Sequence, residues 1–226
     1  MTAREVGAMT TRTRPRRTEP REVRRQQLID ATIASIAQHG MSGTTMATVT
    51  RLANLSSGIV AFHFQSKENL LVETLLSLAR EHREVWRAAY DDAALAPEAK
   101  LWAFVAAHFH PSVCERPKLS VWFAFFGDAQ LRRLYRERLG EIDEERWQEA
   151  KRLCRALQEE GGYEGLDPMD IAKSLEGLYD GLWLNMMIHP EEFTAEDAKR
   201  QVLQFLARTF PRHFDPERPP DPERPE

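Results

Sequence analysis

Cysteine is scarce in this chain: Cys114 and Cys154 are the only two among 226 residues, and neither sits in a CxxC pair. A disulfide framework and a thiolate zinc site both need more than that, so no metal is expected and a reduced, cytoplasmic setting is. Long apolar runs are missing too. Arg, Glu or His interrupts each one well before the roughly 18 residues a membrane span requires, and no membrane partner is expected. The arginine-rich start is followed by no apolar stretch, which argues against a secretory signal. No segment alternates apolar and polar residues as a half-buried strand does. A G-x-S-x-G elbow, a P-loop and a dinucleotide fingerprint are all absent, so neither an enzyme nor a cofactor is expected.

The remainder is that of an ordinary globular chain, 42% hydrophobic and 29% charged. Its length allows one large domain or two small ones and an ample core. Charge is unevenly spread. The first 64 residues hold nine arginines, no lysine and four carboxylates, a net +5, whereas the rest carries −9 within the total of −4. A basic segment on an acidic body suggests local contact with a polyanion.

Residues 1–20 are rich in Arg, Thr and Pro and poor in large apolar side chains, so they are expected to form a disordered basic arm. At the other end, 214–226 is expected to be a disordered proline-rich tail that repeats DPERP. Between them the period is helical throughout. Leu28, Ile29, Thr32, Ile33 and Ile36 form one stripe of a first helix, with Gly40 as its stop. Thr45 caps a second helix reaching about Ala53. Asn54, which tolerates a left-handed backbone, makes a tight turn. Ser56 or Ser57 caps a short third helix ending near Phe64, and Ser66 caps a fourth. Further helices are expected at about 98–111, 117–126, 129–160, 168–188 and 194–209, punctuated by Gly161-Gly162 and Pro190. The fold class is therefore all-α with about nine helices. A helix-turn-helix domain is expected at 21–66 and a dimerisation and effector-binding body at 67–213.

Three short helices followed by a longer one suit a DNA reader. The supporting helix should bury Met46, Val49 and Leu52 or Ala53. The next helix opens with Ser56, Ser57 and Gly58, small residues that let its N-terminus approach phosphate. Val60 and Phe64 should face inward. Ile59, Phe62 and His63 should face outward, where apolar groups meet thymine methyls or sugars. Lys67 at a helix start opposes the helix dipole, and a phosphate partner would explain it.

The run TTMATVTRLANLSSGIVAFHFQSKENLL, together with Arg24-Arg25-Gln26-Gln27-Leu28-Ile29-Asp30-Ala31-Thr32 before it, resembles the DNA-binding domain of the TetR family of transcriptional repressors. The resemblance covers about the first 80 residues. It implies that Thr45, Ser57 and Lys67 touch phosphates and that Ile59 and Phe62 lie near bases. The full candidate DNA set is Thr45, Arg51, Ser56, Ser57, Gly58, Ile59, Phe62, His63 and Lys67. Ala61 stands where many members carry Tyr, and Asn54 stands where they carry a turn glycine. The resemblance further implies a homodimer, a double-stranded operator and a small-molecule effector. Two-fold symmetry would then demand a palindromic operator.

In the second half, Val121-Trp122-Phe123-Ala124-Phe125-Phe126, Leu131-Arg132-Arg133-Leu134-Tyr135 and Gly177-Leu178-Tyr179-Asp180-Gly181-Leu182-Trp183-Leu184 resemble one branch of the family. That branch answers to choline and related quaternary ammonium compounds. Such a cation needs aromatic faces and perhaps a carboxylate, because it has no N–H to donate. Trp122, Phe126, Glu176, Tyr179, Asp180 and Trp183 are the candidate cage; the same stripe also suits plain core or dimer interface. Leu175, Leu178 and Leu182, with Val202, Phe205 and Leu206, suit a dimeric four-helix bundle. His108, His110, Cys114 and Glu115 converge poorly as metal ligands on a helix. The acidic stretch from Glu141 to Glu149, with Arg146 inside it, reads as a solvated face. Two other readings stay open: a regulator answering a different effector, and a DNA-bound adaptor holding a protein partner.

Overall fold

A computed structural model describes residues 20–91 and 95–220, and the N-terminal arm and the end of the tail lie outside that range. Among the described residues every regular element is helical: α1 (Arg21–Gly43), α2 (Met46–Leu52), α3 (Ser57–Phe64), α4 (Lys67–Tyr90), α5 (Pro97–Ala107), α6 (Pro111–Cys114), α7 (Arg116–Gly127), α8 (Ala129–Gly161), α9 (Pro168–Ile188) and α10 (Ala195–Thr209). The described residues form ten helices where about nine were expected, because the helix expected at about 98–111 ends at Ala107 and a separate four-residue turn, Pro111–Cys114, follows before α7. None of the described helices is long and apolar enough to cross a membrane.

Local chemistry sets the boundaries in the first third. Gly40 adopts φ +66° and breaks α1, leaving one short turn to Gly43. Thr45 and Thr48 form a reciprocal capping box at the start of α2. Asn54 takes φ +53°, and Leu55 N–H donates to the Thr50 carbonyl at 2.9 Å, closing the turn between α2 and α3. The Ser66 hydroxyl accepts from Asn69 N–H and caps α4. The predicted stripe of α1 is buried throughout, and it meets Val49, Ala53, Val60 and Phe64 from α2 and α3.

The body is built around two long helices. α4 leaves the small domain and runs into the body, where α5 and α8 pack on it. α8 packs along α9, and α7 lies between the body and α1. Lys118 on α7 pairs with Glu81 on α4 at 2.8 Å across that junction. One helix therefore joins the two ends of the molecule: Lys67 begins α4, and His82 lies fifteen residues later, about 22 Å along the axis.

Three sequence expectations change in the body. Asp143 and Arg146 are buried and not on a solvated face, because Glu176 on α9 supplies the partner that makes burial of a guanidinium tolerable. Leu175, Leu182, Val202 and Leu206 are spent on the protomer's own core, while Leu178 and Phe205 stay half-buried. The apolar surface that α9 leaves open is instead Leu184 and Ile188, beyond exposed Gly177 and Gly181. Phe214, read as the start of the tail, is buried in the body, and Pro216 to Pro219 then run beside a groove between α5 and α10.

Candidate functional site

Two sites emerge, one at each end of α4. At the small domain, α3 presents its N-terminus and one face. Ser56 occupies the N-cap with no side-chain cap bond, so its hydroxyl and the free N–H groups of the first turn remain open to a phosphate. Gly58 is exposed, and a Cβ added there would meet nothing within 4 Å. Packing within the protomer therefore does not require a glycine there. Ser57 begins α3; its side chain lies outside the described atoms.

Phe62 is 68% exposed, the most exposed large apolar side chain of the described chain. Arg21, from the first turn of α1, lies over its ring at 5.6 Å. Ile59 and His63 were expected to face outward and are half-buried instead: Ile59 packs against the core, and His63 meets Phe62 edge-on. Burial first, then Arg21, push the His63 pKa down, so this imidazole is neutral at ordinary pH. Arg51 is exposed in the last turn of α2. Thr45 is exposed; its hydroxyl oxygen accepts from Thr48 N–H at 3.1 Å and lies 3.3 Å from the Thr48 hydroxyl. Lys67 is half-buried at the first position of α4, with Nζ 3.5 Å from the Met41 carbonyl. Between α3 and α4, Gln65 takes φ +66°, a strained conformation for a side chain of its kind that the sequence did not reveal.

At the other end, all six candidate cage residues come together. Trp122 and Phe126 from α7, and Glu176, Tyr179, Asp180 and Trp183 from α9, line one cavity with His82, His108, Tyr135 and Arg146. Its walls lie close together, leaving room for about one small group such as a water molecule. One wall is aromatic. Trp122 and Trp183 lie 6.5 Å apart at 27°, and Tyr135 is edge-on to both Trp122 and Phe126. The Trp183 indole N–H donates to the His108 carbonyl at 3.0 Å, fixing the ring against the end of α5.

Charged side chains also line the cavity. Arg146 Nε donates to Glu176 at 3.0 Å, Arg146 Nη2 donates to the other Glu176 oxygen, and the same Nη2 donates to Asp143 at 3.0 Å. Tyr135 O–H also donates to Asp143, at 3.1 Å. Burial alone would lower Arg146, but Glu176 and Asp143 outweigh it and hold the guanidinium charged. Burial alone would raise Glu176, but Arg146 overrides it and keeps that carboxylate ionised. Asp180 has no hydrogen bond or ion pair among the described residues. Burial, then the charge of Glu176, raise its pKa to about 6. Two acids thus hold one guanidinium, and the third acid lines the same cavity without such a partner.

The sequence missed His82, His108, Tyr135 and Arg146 as lining residues of this site, and Asp143 as the partner of Tyr135 and Arg146. The His pair meets edge-on with ring centroids 4.7 Å apart, and His108 stacks on Tyr179 at 4.0 Å. Burial lowers both imidazoles, His108 to about 4. His108 therefore belongs to this cavity as a neutral ring and does not share a cluster with His110, Cys114 and Glu115.

Comparison with known proteins agrees with this layout. Residues 28–74 match the family model for bacterial regulatory proteins of the tetR family, and residues 97–211 match the C-terminal model of BetI-type transcriptional repressors. The HTH-type transcriptional regulator BetI of Burkholderia mallei is 39% identical over 197 residues, covering 82% of this chain and 93% of that protein. A putative transcriptional regulator from Pseudomonas aeruginosa has a solved structure with a TM-score of 0.70 at 27% identity, over 87% of this chain and 96% of that one. A putative transcriptional regulator from Saccharomonospora viridis, solved in complex with choline, shares the fold with a TM-score of 0.68 at 19% identity, over 82% of this chain and 96% of that one.

Proposed function

This chain belongs to the TetR family and is a DNA-binding transcriptional regulator of the BetI type, and we propose that it works as a homodimeric repressor, released from a palindromic operator by a quaternary ammonium effector such as choline. One observation carries the effector reading. Six side chains with cation-binding chemistry line a single cavity, which combines aromatic rings with a carboxylate, Asp180, that has no hydrogen-bond or ion-pair partner among the described residues. A quaternary ammonium is attracted to ring faces and to Asp180, and it loses no hydrogen bonds on leaving water. The cavity is smaller than such a cation, so uptake requires its walls to part, and α7 and α9, which carry most of the cage, are the helices proposed to move.

That movement has a route to DNA. Trp122 and Phe126 belong to α7, which packs on α1. His82 belongs to α4, whose first turn holds Lys67 beside α3. A ligand that displaces either wall therefore shifts the helix that supports α3, and release follows if the shifted geometry no longer matches two half-sites at once. The two-fold partner is placed against α9, where Leu184 and Ile188 are exposed beside Gly177 and Gly181. In the DNA reading, Thr45, Ser56, Ser57 and Lys67 hold phosphates, and Arg51, Gly58, Ile59, Phe62 and His63 lie toward the groove, with Ile59 and His63 mainly positioning Phe62.

The test of the effector reading is intrinsic fluorescence, since Trp122 and Trp183 form the wall. Choline is expected to change the emission saturably, and Trp122→Leu should remove most of the change. A full-length protein whose emission and melting temperature ignore choline contradicts this assignment.

A further inference from the structure

Three polar atoms on the cavity wall have no hydrogen-bond partner: His82 Nε2, His108 Nε2 and Tyr179 Oη, each on a side chain more than nine-tenths buried. Buried polar groups almost always have partners, so three orphans on one wall call for an explanation. All three line the same cavity, and their rings touch: His82 is edge-on to His108, and His108 is stacked on Tyr179.

The hydrogen-bond character of this corner is fixed. His108 Nδ1 lies 3.1 Å from the Phe104 carbonyl. A carbonyl only accepts, so Nδ1 carries the proton and Nε2 of the neutral ring is a bare acceptor. Tyr179 Oη still has a proton to donate. The two stacked rings thus offer one acceptor and one donor, and the cavity they line has room for about one small group.

We infer that this corner, His108 Nε2 and Tyr179 Oη with His82 Nε2 beside them, reads a hydroxyl group on the effector. The inference rests on the cationic effector proposed above and narrows it to a quaternary ammonium alcohol. A hydroxyl donates to His108 Nε2 and accepts from Tyr179 O–H, satisfying both. A carboxylate only accepts; it leaves His108 Nε2 unpaired and brings another negative charge beside Glu176 and Asp180. Arg146 does not rescue it, because both of its acids already hold that guanidinium. A methyl in the same place leaves all three atoms unpaired. Sites built to bind a hydroxyl reject analogues that lack it for this reason.

The test is calorimetric titration of the full-length protein at neutral pH with choline, with propyltrimethylammonium, which carries a methyl in place of the hydroxyl, and with glycine betaine. Choline is expected to bind roughly tenfold tighter than either of the others. The preference over propyltrimethylammonium should shrink toward one in Tyr179→Phe, which removes a single oxygen, and in His108→Phe, which keeps a ring on the stack. Equal affinity for choline and propyltrimethylammonium overturns the inference and leaves the cation reading standing, as does betaine binding as tightly as choline. An unchanged preference in both variants overturns it too, since the hydroxyl is then read elsewhere. Binding of none of the three compounds removes the cation reading and this inference together.

Discussion

Arg146 on α8 grips both carboxylate oxygens of Glu176 on α9, and this fork decides which acid of the cavity is free. Glu176, offered by the sequence as a partner for a cationic effector, is already neutralised inside the protein. Asp180, one turn further along α9, has no such partner among the described residues and takes that role.

Asp180→Asn is therefore expected to weaken choline binding by at least tenfold while leaving operator binding in place. Glu176→Gln should instead damage stability, because it leaves Arg146 with one acid fewer. Calorimetry with choline and urea unfolding, applied to both variants, separate the two roles.

The same residue gives the response a pH dependence. Asp180 is raised to about 6 by burial and by Glu176, with Arg146 opposing and Asp143 adding to the shift. A cation favours the ionised form, so choline affinity should fall as pH drops through about 6 and be steady above it. His82 and His108 are held low by burial and stay neutral across that window, and Tyr135 and Tyr179 are raised and stay protonated. A pH series of choline titrations should show the fall in the unaltered protein and lose it in Asp180→Asn.

The fork itself predicts a stability asymmetry. Arg146→Met strands Glu176 and Asp143 in a buried setting and should cost about 3–5 kcal/mol. The pair Arg146→Met with Glu176→Leu should recover a large part of that loss, because burying an ion pair has a desolvation cost that an apolar pair avoids. Urea unfolding at fixed protein concentration measures both, and equal losses in the single and double variants would contradict the geometry.

At the DNA end, Lys67 and Phe62 should fail in different ways. Lys67→Ala is expected to weaken binding to every duplex alike and reduce the salt slope by about one. Phe62→Ala should keep the salt slope and lose preference for the operator over random sequence. Thr45→Ala adds a third pattern: loss of the capping box costs about 1 kcal/mol of stability and lowers affinity without touching preference. Mobility shifts across a salt series, with thermal melts alongside, distinguish the three.

The small domain was legible in the sequence because its signals are local. Thr45, Asn54 and Ser66 each declare a helix end within a few residues, and the stripe from Leu28 to Ile36 has only one face to bury. The aromatic half of the cavity was legible for a similar reason, since Trp122 and Phe126, and Tyr179, Asp180 and Trp183, recur at helical spacing. The charged half was not. Along α8, Asp143 and Arg146 sit among Glu141, Glu144, Glu145 and Glu149, a pattern that reads as solvent-facing until Glu176, thirty residues on, supplies the partner for burial. His82 and His108 come from α4 and the end of α5, and only tertiary packing brings their rings together. On α9, apolar residues surround the helix, so period alone did not say which face is core and which is left for a partner.

In the proposed mechanism one small cation, taken up between α7 and α9, releases this protein from its own operator. The direct measurement is a mobility shift of a labelled fragment from upstream of the protein's gene, titrated with choline and repeated with Asp180→Asn. The expected result is a specific shift that choline reverses for the unaltered protein, and a shift of equal strength that choline fails to reverse for the variant. A specific shift indifferent to choline in both proteins would contradict it.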